Sequence, residues 1–135
     1  MGDPAKTVCI DTHALIWYLS KPKRLGRAAA RQLRQADVGR CNVLIPAVVP
    51  IELALLREAG RNVVGPAQVE ALLRVQSAFR LVPLDLSQGL EFSLLTALSD
   101  PFDRLVVACA RVFSASLITA DTGIHDSSLT PVIWD

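Results

Sequence analysis

Four acids stand where a fold could gather them: Asp11, Glu52, Asp103 and Asp121. Asp11 ends the short apolar run Thr7-Val-Cys-Ile, and Asp121 follows Leu117-Ile-Thr-Ala. Glu52 and Asp103 each fall near the start of an apolar-faced helical stretch. Singly, each has a plain structural explanation. Glu52 and Asp103 suit the positive end of a helix dipole, and Asp121 suits a turn ahead of Gly123. Asp11 is harder to explain away, because a carboxylate flush against a buried strand needs partners. Together they repel: two carboxylates about 4 Å apart cost roughly 4 kcal/mol at an effective dielectric of about 20. Arg104 is the only basic residue near any of them in sequence. A hard divalent cation is the natural alternative, and oxygen-only ligation with retained waters describes Mg²⁺ or Mn²⁺. Such an ion polarises a phosphoryl oxygen and acidifies a bound water, which is the chemistry of phosphodiester hydrolysis. No Gly-rich phosphate loop or nucleophile elbow competes, and His13 and His125 lack a Cys partner at metal spacing.

The elements that must position these acids read as strands alternating with helices. Thr7–Asp11, Val43–Ile45, Leu81–Val82, Ser116–Thr119 and Val132–Ile133 are continuous apolar runs. Between them, helical patterns are expected over Thr12–Leu19, Gly26–Ala36, a stretch opened by Pro50, one from Pro66 to about Phe79, one from Asp85 or Ser87 to Leu98, and one opened by Asp100-Pro101. Strands without polar alternation imply a parallel sheet buried on both faces. The expected fold is therefore α/β, a three-layer α/β/α sandwich. In such sheets ligands bind beyond the carboxyl ends of the strands, where Asp11 and Asp121 fall.

The chain has 135 residues, 51% hydrophobic and 20% charged, which suits one globular domain spanning 1–135. No apolar run is long enough for a bilayer span, and no secretory signal is evident. Cys9, Cys41 and Cys109 lack metal-ligand spacing and read as reduced core thiols, as in a cytoplasmic protein. The net charge is +1, but it is unevenly distributed. Met1 to Arg40 holds eight Lys or Arg against three acids, whereas Leu81 to Asp135 holds two against seven. This permits a basic surface beside an acidic site. Lys21, Lys23, Arg24, Arg27, Arg31 and Arg34 could guide a nucleic-acid backbone, meet an acidic partner, or simply face solvent.

At this point the residues resemble a known family. Asp11-Thr-His-Ala-Leu-Ile-Trp17 is similar to the opening motif of VapC-like PIN domains. Asp100-Pro-Phe-Asp-Arg-Leu-Val-Val-Ala-Cys-Ala110 resembles their third acidic block, and Leu117-Ile-Thr-Ala-Asp121 their fourth, with Val132-Ile-Trp134 as a matching end. The resemblance runs through essentially the whole chain. It implies a PIN-like fold, a Mg²⁺ or Mn²⁺ site and cleavage of single-stranded RNA, as by the toxin of a VapBC toxin–antitoxin pair. It assigns Asp11, Glu52 and Asp103 to the metal and Asp121 to a second metal or a coordinated water. Thr12 and Thr119 fall where hydroxyls brace the acids, and Asp100 caps a helix at the site's rim. Arg104, beside the cluster, could contact phosphate, or equally be a helix-surface Arg or pair with an acid. A homodimer and an inhibitory antitoxin partner are also implied. Two departures stand out: Ala47-Val-Val-Pro-Ile51 replaces a hydroxyl-rich run before Glu52, and Ser99 stands where relatives often carry His. Two other readings compete. One is a non-catalytic PIN-fold module that binds RNA or an antitoxin. The other is a phosphatase with Asp11 as nucleophile, against which His13 occupies the place of the usual second Asp.

Overall fold

In the computed structural model, which describes residues 6–135, five parallel strands form one sheet ordered β3-β2-β1-β4-β5. They are β1 (Lys6–Ile10), β2 (Cys41–Pro46), β3 (Phe79–Val82), β4 (Ser116–Ile118) and β5 (Val132–Ile133). Seven α-helices connect them: α1 (Thr12–Ser20), α2 (Arg27–Asp37), α3 (Val48–Glu58), α4 (Pro66–Val75), α5 (Leu86–Leu94), α6 (Pro101–Val112) and α7 (Thr122–Ser127). A 3-10 turn over Pro22–Arg24 links α1 to α2.

The three inner strands carry the core. Val8, Cys9 and Ile10 of β1 are wholly buried, as are Leu117 and Ile118 of β4. A strand buried on both faces gains nothing from polar alternation, so it reads as an unbroken apolar run. Helix α6 lies over the middle of the sheet and buries Val106 to Ala110. All three cysteines are buried and free.

The sheet order turns back on itself at β1. The chain proceeds from β1 outward through β2 to β3, then crosses back to place β4 on the other side of β1. At such a switch point the connections diverge to opposite faces and leave a crevice beyond the strand ends. Here that crevice lies beyond β1 and β4, the strands that precede Asp11 and Asp121.

Several boundaries differ from the sequence reading. Helix α3 starts at Val48 rather than Pro50, because a first turn has no internal use for the N–H that proline lacks. Glu52 consequently lies one turn into α3, not in its first turn. Helix α4 stops at Val75, short of Phe79, which instead begins β3. Helix α5 ends at Leu94 rather than Leu98. The six-residue helix α7, capped by Asp121, has no counterpart among the expected helices.

Among the described residues, no helix is long and apolar enough to cross a membrane.

Candidate metal centre

Three acids reach the crevice as helix N-caps. The Oδ1 of Asp11 accepts from the Ala14 N–H at 2.9 Å, capping α1. The Oδ1 of Asp121 accepts from the Ile124 N–H at 2.9 Å, capping α7. The Oδ1 of Asp100 accepts from the Phe102 N–H at 2.7 Å and from that of Asp103 at 3.3 Å. In each case the strand or loop ends, the acid turns the chain, and a helix starts with its positive end at the carboxylate. Gly123 belongs to this arrangement, since a Cβ there would sit 3.1 Å from the capping Oδ1 of Asp121.

The other two acids arrive along helices. Asp103 stands in the first turn of α6. Glu52, a turn into α3, is oriented by the Thr12 hydroxyl, which donates to its Oε1 at 2.6 Å. Thr12 is itself buried as the first residue of α1. The wholly buried Thr119 accepts the Asp121 N–H on its Oγ1 at 3.0 Å, fixing the turn after β4.

Together these residues line one cavity of about 340 Å³, formed by Asp11, Thr12, His13, Trp17, Glu52, Asp100, Phe102, Asp103, Val106, Ala120 and Asp121. Five of the lining residues are acids and none is Lys or Arg. The electrostatics follow. Burial is the chief cause that lifts the Asp103 carboxyl from its ordinary 3.8 to about 7, and repulsion from Asp121, Asp100, Asp11 and Glu52 adds to it. Burial also raises Asp11 to about 6, against the Thr119 hydroxyl and the Ala14 N–H, which favour its charged form. Burial, reinforced by repulsion among the carboxylates, thus raises both carboxyls toward neutral pH.

The donor set suits a hard cation: carboxylate and hydroxyl oxygens predominate, no thiol is present, and His13 is the one nitrogen side chain besides the Trp17 indole. Among the described residues, no three such side chains are close enough to enclose an ion unaided.

The structure therefore gathers Asp11, Thr12, Glu52, Asp100, Asp103 and Asp121 into one cavity, with Thr119 beneath it. It does not bring Arg104 there. The Arg104 guanidinium donates to the Phe92 carbonyl at 2.8 Å and lies 4.0 Å over the Phe92 ring, so it joins α6 to α5 instead of facing the crevice. His13 and Trp17, which no expectation placed in the site, do line it. Their spacing of four on α1 was the available signal, since it sets both on one helix face beside Asp11.

The fold is thus a parallel α/β sheet with a cavity of five acids at its switch point. A family model described as "PIN domain" matches residues 8–127, and the chain belongs to that family. It is similar to Ribonuclease VapC22 of Mycobacterium tuberculosis, at 29% identity over 132 residues, covering 95% of this chain and 98% of that one. Among solved structures, the fold is similar to VapBC2 from Rickettsia felis bound to a promoter DNA fragment, with a TM-score of 0.69 at 14% identity over 96% of this chain and 99% of that one. It also resembles VapBC-1 from nontypeable Haemophilus influenzae, with a TM-score of 0.64 at 15% identity, covering 93% and 96% of the two chains.

Proposed function

We propose that this chain is a metal-dependent ribonuclease that hydrolyses phosphodiester bonds in single-stranded RNA and acts as the toxin of a VapBC-type pair. The observation that carries the reading is the cavity of five acids without a Lys or Arg, opened at the switch point of the sheet. Similarity to a named VapC ribonuclease along nearly the whole chain supports the choice of RNA.

Asp11, Asp103 and Glu52 would hold Mg²⁺ or Mn²⁺, with Asp121 positioning a second ion or a coordinated water. Bound there, a divalent ion supplies a Lewis acid for the phosphoryl oxygen and a water acidified toward neutrality. The chain's own contribution is orientation. Thr12 sets the rotamer of Glu52, the helix-capping bonds hold Asp11 and Asp121, and Asp100 fixes the turn that presents Asp103.

Antitoxin binding and homodimerisation are the partner expectations of this reading. A stripe on α5 supports a protein partner: Leu86, Leu90 and Leu94 are 77%, 61% and 68% exposed at a spacing of four. Contiguous exposed apolar patches are characteristic of interaction surfaces.

The reading is tested by incubating purified protein with a labelled single-stranded RNA library in Mn²⁺, in Mg²⁺ and in EDTA. Cleavage in either metal, abolished by EDTA and by Asp11→Asn, is the expected result. RNA binding without cleavage in any metal by the folded protein would favour a binding module instead.

A further inference from the structure

A second groove opens directly beside the acidic cavity and carries the opposite charge. It has a volume of about 310 Å³ and shares His13 and Trp17 with the acidic cavity, so the two adjoin at α1. Its other polar lining comes from Ser20, Lys21, Arg24, Arg61 and Asn62, and it contains no acid. Lys21, Arg24 and Arg61 are exposed, and among the described residues none of the three makes an ion pair. Lys21 precedes the 3-10 turn after α1 and Arg24 ends it, while Arg61 comes from the loop between α3 and α4, so the cations reach the groove from separate elements.

The indole of Trp17 stands at the junction of the two. It is held from one side by Trp134, whose ring centroid is 5.7 Å away, and the Trp134 carbonyl accepts from the Ala29 N–H at 3.0 Å. Gly26 permits that approach, because a Cβ there would fall 2.2 Å from the same carbonyl oxygen. The Arg24 guanidinium lies 5.9 Å from the centre of the Trp17 ring, at the outer limit of a cation–π contact, and remains able to reach an anion. A fixed aromatic face beside several unpaired cations is how proteins hold a single nucleic-acid strand: bases stack and backbone phosphates pair.

We propose that this groove carries the RNA strand on one side of the scissile phosphate, with a base against Trp17 and backbone phosphates on Lys21, Arg24 and Arg61. The inference rests on the ribonuclease reading and adds the strand's path to it. It also accounts for opposite charges in adjoining cavities. The phosphate at the acids requires a metal, whereas its neighbours along the strand meet protein cations directly.

The test separates binding from cleavage. Binding of a fluorescent single-stranded 12-mer RNA of mixed sequence is measured by anisotropy in EDTA across a salt series, with a duplex of the same sequence alongside. The triple variant Lys21→Ala/Arg24→Ala/Arg61→Ala should bind at least about tenfold more weakly. Its log–log salt slope should fall by about 2, at roughly 0.7 for each phosphate that the protein no longer neutralises. Trp17→Leu, checked for folding by its thermal melt, should weaken the single strand about fivefold or more and the duplex less. Wild-type affinity and salt slope in the triple variant would overturn the groove assignment, even if the protein cleaves RNA. Loss of binding in the triple variant, with wild-type protein that never cleaves, would keep the groove and remove the nuclease reading. Weakening toward an acidic peptide such as oligo-glutamate, with RNA binding unchanged, would overturn the assignment in favour of a protein ligand.

Discussion

The hydroxyl of Thr12 donates to Oε1 of Glu52 at 2.6 Å, tying the first residue of α1 to the second turn of α3 across forty positions of sequence. The bond does for Glu52 what helix capping does for Asp11, Asp100 and Asp121: it restricts a carboxylate that repulsion would drive out of the cavity. Thr12→Val keeps the shape and removes the donor. Supporting hydrogen bonds of this kind are worth about 10–100-fold in metal affinity or activity. The expected result is a loss in that range for Thr12→Val and near-wild-type behaviour for Thr12→Ser, read by calorimetric Mn²⁺ titration. Equal affinity in Thr12→Val and wild type would show that Glu52 needs no such restraint.

Asp103 is held at about 7 in the folded chain against an ordinary 3.8. Between these values the native state binds the proton more tightly than the unfolded state, so this group's contribution to stability falls as pH rises and is lost above 7. In metal-free protein at pH 8, Asp103→Asn should therefore be more stable than wild type. After allowance for solvent screening of a partly exposed carboxylate, the gain is about 1–2 kcal/mol. At pH 4 the difference should vanish, and saturating Mn²⁺ should reverse the order by stabilising wild type alone. Urea unfolding at the two pH values checks it. A destabilised Asp103→Asn in EDTA at pH 8 would mean that the acids do not strain one another.

Metal affinity should follow the same two protons. An ion displaces protons from Asp103, at about 7, and from Asp11, at about 6, so binding should weaken about tenfold per pH unit below 7 and more steeply below 6. Calorimetry in two buffers of different ionisation enthalpy counts the protons released. Release near one proton at pH 6.5 is expected, while pH-independent affinity without release would contradict the electrostatic account.

Asp100 has a capping role that can be separated from its charge. Its Oδ1 accepts the Phe102 and Asp103 N–H groups, so Asp100→Ala should cost about 1 kcal/mol of stability. Asp100→Ser should restore most of it, because a hydroxyl caps almost as well. Thermal melts of the two variants distinguish a cap from a ligand: if serine restores stability and metal affinity together, Asp100 serves α6 alone.

Much of the fold and most of the cavity were legible because both follow from chain direction. A buried parallel strand appears as an apolar run, and the residue after it must emerge at the ligand-binding edge, as Asp11 does. Asp103 was legible through Asp100-Pro101, which marks where α6 begins. What escaped depends on rotation and on short elements. Arg104 follows Asp103 on a helix, and one residue turns the side chain by about 100°, onto Phe92 and away from the crevice. Helix α7 has six residues, too few for an apolar period to show. The end of α4 was hidden because Val75, Ala78 and Phe79 continue a helical apolar spacing that in fact crosses into an edge strand. The path of the basic groove combines α1, the 3-10 turn and the α3–α4 loop, and no local pattern links residues 21 and 61.

The most direct test of the central claim is the cleavage rate of a labelled single-stranded RNA by wild type and by Asp103→Asn, at pH 8 with saturating Mn²⁺. Asp103→Asn removes one charge without removing the side chain, and by the stability argument it leaves the protein folded. Cleavage by wild type that falls at least about a hundredfold in Asp103→Asn, while RNA binding in EDTA is retained, is the predicted result. Equal cleavage by the two proteins would contradict the assignment of the acidic cavity as the metal-dependent catalytic centre.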